Sequence, residues 1–414
     1  MIPSPARRNT LFVLAITATL LNLVDRQIIS VLKPVIAADL HWTDNDYGTL
    51  AAWFQGAAAF AFLVTGTAVD RLGVKWANPV GVALWSLAAI AHGGARSFTS
   101  FVLCRVSLGA AEAMGTPAAI KTIAVIFPPA MRSIGYGITN TVGSLGAIIA
   151  PLVIPAVAAL WGWRSAFVIG GALGLIWAIV WLITVRGVNF GDKDATAATG
   201  ASPGRGGILR ERRSWAIAIA KFLSDATWWL MLFWMPDFFH RSFGLEGVAL
   251  GAPLAIAYGG SAIGSLIAGA VASRLIHQGK GIERVRKGSL LVAALCATPL
   301  PFADYAHDYV IAVALMALVM GAHQAFSVNL FALIADVSPP EKIGRVTSFG
   351  AFSGNIGGMV IAKVAGMTLG AGFGYLPLFL FAGSSYLLAL GAIQLLLPRL
   401  PLEGVAAAPR ATGH

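Results

Sequence analysis

Asp25 and Arg26 stand side by side in a run that is otherwise almost wholly apolar. Charge in such a run is costly unless it is paired or at work. A guanidinium matches a carboxylate with two parallel hydrogen bonds, and a carboxyl group can carry a proton. Neighbouring helical residues point about 100° apart, so these two need not pair with each other. One reading makes Arg26 the anchor for a substrate carboxylate and Asp25 a proton carrier. The other is a structural ion pair with a different helix. Arg105 and Glu112 form a second candidate set, seven positions apart on one helix. That spacing puts them on one face, about 10 Å apart along the axis. An anion that competes for the arginine would release the glutamate to take up a proton, so that proton and anion binding favour each other.

Other polar groups sit in the same kind of setting. Lys221, Asp225, Trp228, Trp229 and Trp234 share one span. An indole face suits the C–H face of a sugar and Asp225 can accept from its hydroxyls, although packing and an interfacial belt would also use these tryptophans. His323 is a candidate lining group or proton relay, or a histidine satisfied by a neighbouring helix. Asn329, Asn355 and Asn140 can bind hydroxyls or tie helices together. Lys363 is a further cation, ranked below Arg26.

The elements that must hold these groups are long apolar stretches. Of 414 residues, 57% are hydrophobic and 11% charged, against about a quarter charged in soluble domains. Mean hydropathy is +0.77, more than one soluble core can hide. Backbone in lipid must be satisfied within helices or closed barrels, and stretches of about twenty residues are helical lengths. The expected spans are 11–35, 45–69, 76–95, 98–124, 133–160, 164–186, 214–240, 248–276, 287–305, 308–335, 344–371 and 374–398. This gives an all-α integral membrane fold: a six-helix bundle over 1–186, a cytoplasmic linker over 187–213, a second bundle over 214–398 and a tail over 399–414. The early Arg7-Arg8 pair before an apolar run mimics a signal peptide. Asn22, Asp25 and Arg26 inside that run, and no small-residue cleavage site, make it the first membrane helix instead.

The net charge of +11 does not indicate nucleic acid, because the basic residues lie in short loops. With the N-terminus inside, Arg71, Arg132, Arg205, Arg274, Arg284 and Arg345 fall on the inner side, among many others. Only Arg96, Arg164, Arg241 and Lys33 fall outside. That asymmetry places both termini and the linker in the cytoplasm. Cys104 and Cys296, each in an apolar span, read as small core residues. The halves repeat weakly: Phe127-Pro128-Pro129 and Ser338-Pro339-Pro340 follow the fourth and tenth spans, and the offset that aligns the prolines also aligns Glu112 with His323. Parallel duplicated halves are a layout of secondary transporters.

Gly66, Asp70, Arg71 and Gly73 form Gly-x-x-x-Asp-Arg-x-Gly, with Lys75 following. This resembles the loop signature of the major facilitator superfamily. Val74 replaces a customary basic residue, and Ser273 replaces the acid in the second copy. Four stretches are similar to the anion:cation symporters, above all their hexuronate branch: Asn22 to Arg26, Arg105 to Phe127 through Lys121, Lys221 to Pro236, and Asn329 to Asp336. Leu23 departs from a frequent aromatic, and Gly56 to Phe62 lacks a tyrosine found in some relatives.

The resemblance implies a proton-coupled symporter of a sugar-acid anion working by alternating access. It implies anion binding and proton coupling at Arg26, Arg105, Asp25 and Glu112. With the residues read above, the expected substrate-binding set is Arg26, Arg105, Lys121, Asp225, Trp228, Trp229, His323, Asn329 and Asn355, and the expected proton-coupling set is Asp25 and Glu112. Asp70 and Arg71 would gate, through charge contacts with helix ends and with Arg132 in the next inside loop. The expected partners are a small organic anion, a proton and the lipid bilayer, with no nucleic acid, in a monomer of the cell membrane (the inner membrane, if bacterial). Transport of an aldonate or aromatic acid, anion exchange and a non-translocating sensor are the alternatives. An enzyme is not expected. There is no Gly-x-x-x-x-Gly-Lys phosphate loop, no metal-spaced His or Cys cluster and no nucleophile set, so no cofactor is expected and gradients must drive the cycle.

Overall fold

The computed structural model describes residues 5–127, 129–188, 190, 207–339 and 342–401. Most of the expected linker and tail therefore lies outside the described residues, as do Pro128 and Pro340 and the side chain of Asn140. Every regular element among the described residues is helical. The helices are α1 (Pro5–Val31), α2 (Lys33–Leu40), α3 (Asp44–Gly94), α4 (Phe98–Glu112), α5 (Gly115–Ile126), α6 (Pro129–Trp161) and α7 (Trp163–Thr184), then α8 (Arg212–Phe243), α9 (Gly251–His277), α10 (Ile282–Ala297), α11 (Tyr309–Val337), α12 (Ile343–Gly370) and α13 (Leu376–Leu396). Short 3-10 turns occupy Ile208–Arg210, Gly247–Leu250 and Leu300–Tyr305. Among the described residues, eight helices are long and apolar enough to cross a membrane by length and composition alone.

With the eight-residue α2 counted as a connection, two irregularities resolve the thirteen described helices into twelve spans. The first is Gly73, within α3, at φ 68 and ψ 166. Only glycine occupies that region without strain, so the second glycine of the 66–73 signature is where the 51-residue helix divides into two spans. The second lies between α4 and α5. Pro117 has no N–H to donate to the carbonyl of Ala113, and the helix breaks at Ala113–Met114. One expected span, 98–124, is thus two helices with the break directly after Glu112. The N-terminus of α3 is fixed by a capping box, in which the Thr43 hydroxyl accepts from the Asp46 N–H while Asp46 accepts from the Thr43 N–H. Ser97 and Ser100 do the same for α4.

The described chain packs as two compact units. Among the described residues, the first comprises 5–127, 129–188, 190, 230–259 and 359–374, and the second comprises 207–229, 260–339, 342–358 and 375–401. In the first unit α3 packs along both α4 and α7, and α1 along α6. Two indoles stitch α7 to its neighbours: Trp177 Nε1 donates to the Leu14 carbonyl at 2.9 Å, and Trp181 Nε1 to the Lys75 carbonyl at 3.3 Å. In the second unit α11 packs on α10, and α10 on α13. Its polar rim is held by ion pairs, Arg286 with Asp336 at 2.7 Å and Lys342 with Glu211 at 2.6 Å.

Candidate functional site

In the first unit α1, the second span of α3, the α4–α5 break and α6 enclose a cavity of about 360 Å³. Asn22, Arg26, Asn78, Trp85, Met114 and Tyr136 are among its lining residues. The break matters to it, because Met114, Gly115 and Thr116 form part of the wall. Asn22 Nδ2 and Trp85 Nε1 are buried and make no hydrogen bond among the described residues. Asn78 is engaged, donating to Thr122 Oγ1 at 2.9 Å. Unpartnered donors on residues that wall a mostly apolar chamber favour a ligand that carries acceptor oxygens.

Arg26 stands at this cavity, its side chain 13% exposed, with Nε 2.6 Å from Oε2 of a fully buried Glu112. The glutamate expected to answer Arg105 is therefore held by Arg26. Arg105 is itself buried, and its Nε and Nη2 have no hydrogen-bond partner among the described residues. The charges acting on it include Glu112 and Asp25. The two guanidiniums share one aromatic neighbour, since Arg26 lies 5.7 Å and Arg105 5.6 Å from the ring centroid of Phe54. Asp25 is 2% exposed, with Oδ2 unbonded among the described residues. Its charged neighbours are Glu112 and Arg105. The four ionisable groups singled out by type thus gather in one buried network, with a different pairing from the one their spacing suggested.

Lys121 sits elsewhere. Its ammonium donates to the Asp70 carboxylate and to the carbonyls of Val69 and Asp70, each at 3.3 Å. It caps the end of the first span of α3. The expected Asp70–Arg132 contact is replaced by Asp70–Lys121, and Arg132 donates to the Phe127 carbonyl at 3.2 Å. Arg71 is exposed.

A second ionic cluster in this unit had no forewarning in residue spacing. Lys33, 3% exposed, lies 2.8 Å from Asp44 and 2.6 Å from Asp237. Arg241 joins both carboxylates, with Nε 2.8 Å from Asp237. The lysine also sits 4.4 Å from the Trp234 ring and 5.1 Å from that of Tyr47. Tyr47 in turn donates to the Phe233 carbonyl at 2.8 Å. Lys363 is close by along α3, donating to Asn45 and Thr49 at 2.7 and 2.8 Å.

In the second unit Trp228 stacks on His323 with ring centroids 5.0 Å apart, and His323 Nδ1 lies 3.0 Å from the Tyr386 hydroxyl. Lys221 pairs with Asp225 at 2.8 Å, one helical turn on. Trp229 packs against the backbone of α12 at Gly358. Asn355 donates to the Ala351 carbonyl of its own helix. Asn329 donates to the Ala325 carbonyl and lines a groove with Ser273 and Arg286. His323, Trp228 and Tyr386 therefore come together, whereas Asn329 has other company. Gly354 makes room for the ion pair: a Cβ there would lie 2.2 Å from Asp225 Oδ2. Gly354→Ala should force Asp225 off Lys221 and lower stability by about 1–3 kcal/mol, the usual cost of overpacking. A melting curve checks this, and Lys221→Ala should add little in that background.

The signature of the Major Facilitator Superfamily matches residues 15–362. The hexuronate transporter of Escherichia coli (strain K12) is 28% identical over 383 residues, covering 87% of each chain. The galacturonate transporter of Dickeya chrysanthemi is 29% identical over 244 residues, 55% of this chain and 70% of the relative. Among solved structures, a bacterial homologue of the human lysosomal transporter Spinster, in an inward-facing and occupied conformation, superposes with a TM-score of 0.76 over 96% of both chains at 19% identity. Fold and sequence agree that this is a multi-pass membrane transporter of twelve helices in two pseudo-symmetric halves, not an enzyme, and that the chain belongs to the Major Facilitator Superfamily.

Proposed function

We propose that the chain carries a sugar-acid anion, a hexuronate first, together with a proton by alternating access. The observation that carries this reading is the Arg26–Glu112 pair at a cavity whose other buried donors, Asn22 and Trp85, await an acceptor. A carboxylate entering the cavity competes with Glu112 for Arg26. The displaced glutamate is then left in a buried site, where a proton is the least costly replacement for the lost cation. Binding of anion and of proton thereby reinforce each other. Asp25 and Arg105, in electrostatic reach of the same carboxylate, extend the network that shares that proton.

Other parts of the chain take supporting roles in this reading. In the second unit Trp228 and His323 offer a flat face and a polar edge of the kind that sugars use, with Asp225 as an acceptor and Tyr386 as a hydroxyl. Asp70, Arg71 and Arg132 lie at the end that is cytoplasmic when both termini are inside, and Lys121 joins them as the partner of Asp70. The Lys33 cluster then lies on the outer side and closes it.

The similarity to hexuronate and galacturonate transporters supports the substrate class, and a probable L-galactonate transporter among the relatives makes aldonates the nearest competitors. Labelled glucuronate or galacturonate should accumulate in proteoliposomes when the outside is made acidic, and unlabelled hexuronate should compete better than galactonate or benzoate. Uptake indifferent to the imposed pH gradient removes the coupling, and preferential competition by another acid removes the substrate.

A further inference from the structure

We propose that the second unit carries a site for an anionic glycerophospholipid, its phosphate on Lys280 and Arg284 and an acyl chain in the groove between α9, α10 and α11. The groove encloses about 650 Å³. It is deep because its floor is made of small residues. At the crossing of α9 and α11 a Cβ on Gly264 would lie 2.1 Å from the Gly321 carbonyl oxygen, so the two backbones touch there. Its rim is bulky and apolar: Ile263, Ile267, Val271 and Val292 are 61%, 58%, 47% and 62% exposed. Both α9 and α10 fall in segments apolar enough to cross a membrane, so these side chains meet acyl chains, not water. From Gly260 to Leu275, both lining residues, the groove follows about 22 Å of helix, enough to traverse one leaflet of about 15 Å.

Charge selects the occupant. Lys280 and Arg284 line the groove at its basic end, both are exposed, and neither has an ion pair or side-chain hydrogen bond among the described residues. The neighbouring cations differ. Arg286 is held by Asp336, and Lys287 by Glu283 at 2.8 Å and by the Leu397 and Pro398 carbonyls. The one acid on this turn, Glu283, is thus engaged by Lys287 and by the Leu400 N–H. Two unneutralised cations above an apolar trough fit a phosphodiester with no compensating amine, and basic pockets between membrane helices are where such headgroups bind. Arg284 and Gly288 also line a second groove, on the α13 side of α10, so a headgroup at Arg284 can send a second chain down the other flank of the same helix.

The site is testable on the purified full-length chain in neutral detergent, with phosphatidylglycerol and phosphatidylcholine as probes. Native mass spectrometry should show phosphatidylglycerol retained, and the melting temperature should rise with it more than with phosphatidylcholine. In Lys280→Gln/Arg284→Gln the phosphatidylglycerol affinity should fall about 30-fold, the effect of two membrane-facing cations, leaving the phosphatidylcholine response unchanged. Ser289→Trp, which fills the groove and leaves both cations in the chain, should also lose retention. Equal retention of the two lipids, or an undiminished preference in both variants, overturns the proposal. So does a full shift produced by inorganic phosphate alone, which would leave the groove without a part.

Discussion

Arg26→Ala will abolish transport and also weaken the fold. Glu112 is fully buried and Arg26 holds its Oε2 at 2.6 Å, so truncating the arginine strands a carboxylate in a site that water does not reach. Breaking such a pair from one side costs about 3–5 kcal/mol, and uptake should drop at least about 100-fold, since each 1.36 kcal/mol is tenfold. The partner substitution behaves differently. Glu112→Gln keeps an acceptor for the Arg26 guanidinium and removes the ionisable group, so the melting temperature should change little while anion exchange persists and accumulation no longer follows the pH gradient. The double variant Arg26→Ala/Glu112→Gln should recover much of the stability lost in Arg26→Ala but none of the transport. Melting curves and proteoliposome uptake, taken together, separate these outcomes. An Arg26→Ala protein that melts like wild type would show that the pair carries no structural burden, and a Glu112→Gln protein still driven by the gradient would clear Glu112 of coupling.

The second large effect is expected at Lys33. Its ammonium is 3% exposed, is bound by two carboxylates and lies against two aromatic faces. Lys33→Met should destabilise the closed arrangement of α2, α3 and α8 by about 3 kcal/mol. Ala51, buried one turn beyond Tyr47 on α3, can report on this. In a background with Cys104 and Cys296 replaced by serine, Ala51→Cys should be labelled by a membrane-impermeant maleimide up to about 100-fold faster once Lys33 is gone. Reversing the charges as Lys33→Asp/Asp237→Lys should restore part of the protection. Labelling that is equally slow with and without Lys33 would show that the cluster does not hold this end shut.

How much of this could be read in the residues alone follows from what each signal measures. Apolar run length gave the helical membrane fold, because the thickness of the hydrocarbon layer sets it. The 66–73 signature marked the kink that divides α3, and its second glycine has the positive φ that explains it. Type and setting also singled out Asp25, Arg26, Arg105 and Glu112, since ions buried in helices need a reason. Their pairing was not legible. Arg26 and Glu112 are 86 positions apart and Lys33 and Asp237 are 204 apart, and helical periodicity reports a face, not the neighbour it meets. Spacing on one helix suggested Arg105 for Glu112, and tertiary packing chose Arg26. Trp85 and Asn22 went unranked because a lone indole among alanines and leucines reads as packing, and an asparagine one turn before two charged residues reads as their context. The break at Ala113–Met114 was foreshadowed only by Pro117, in a stretch apolar enough to read as one continuous span. Residues 230–259 and 359–374 cluster with the first unit, a division along helix lengths that no composition boundary marks.

The Lys33 cluster has one more consequence. Asp237 and Arg241 are four residues apart on α8, and Lys33 and Asp44 lie at the two ends of the short α2 connection. If α8 parts from α2 and α3, each side leaves with its own cation and its own anion, so no stranded ion has to be rehydrated alone. The junction can therefore come apart isocoulombically, and its opening should respond weakly to ionic strength even though four formal charges hold it.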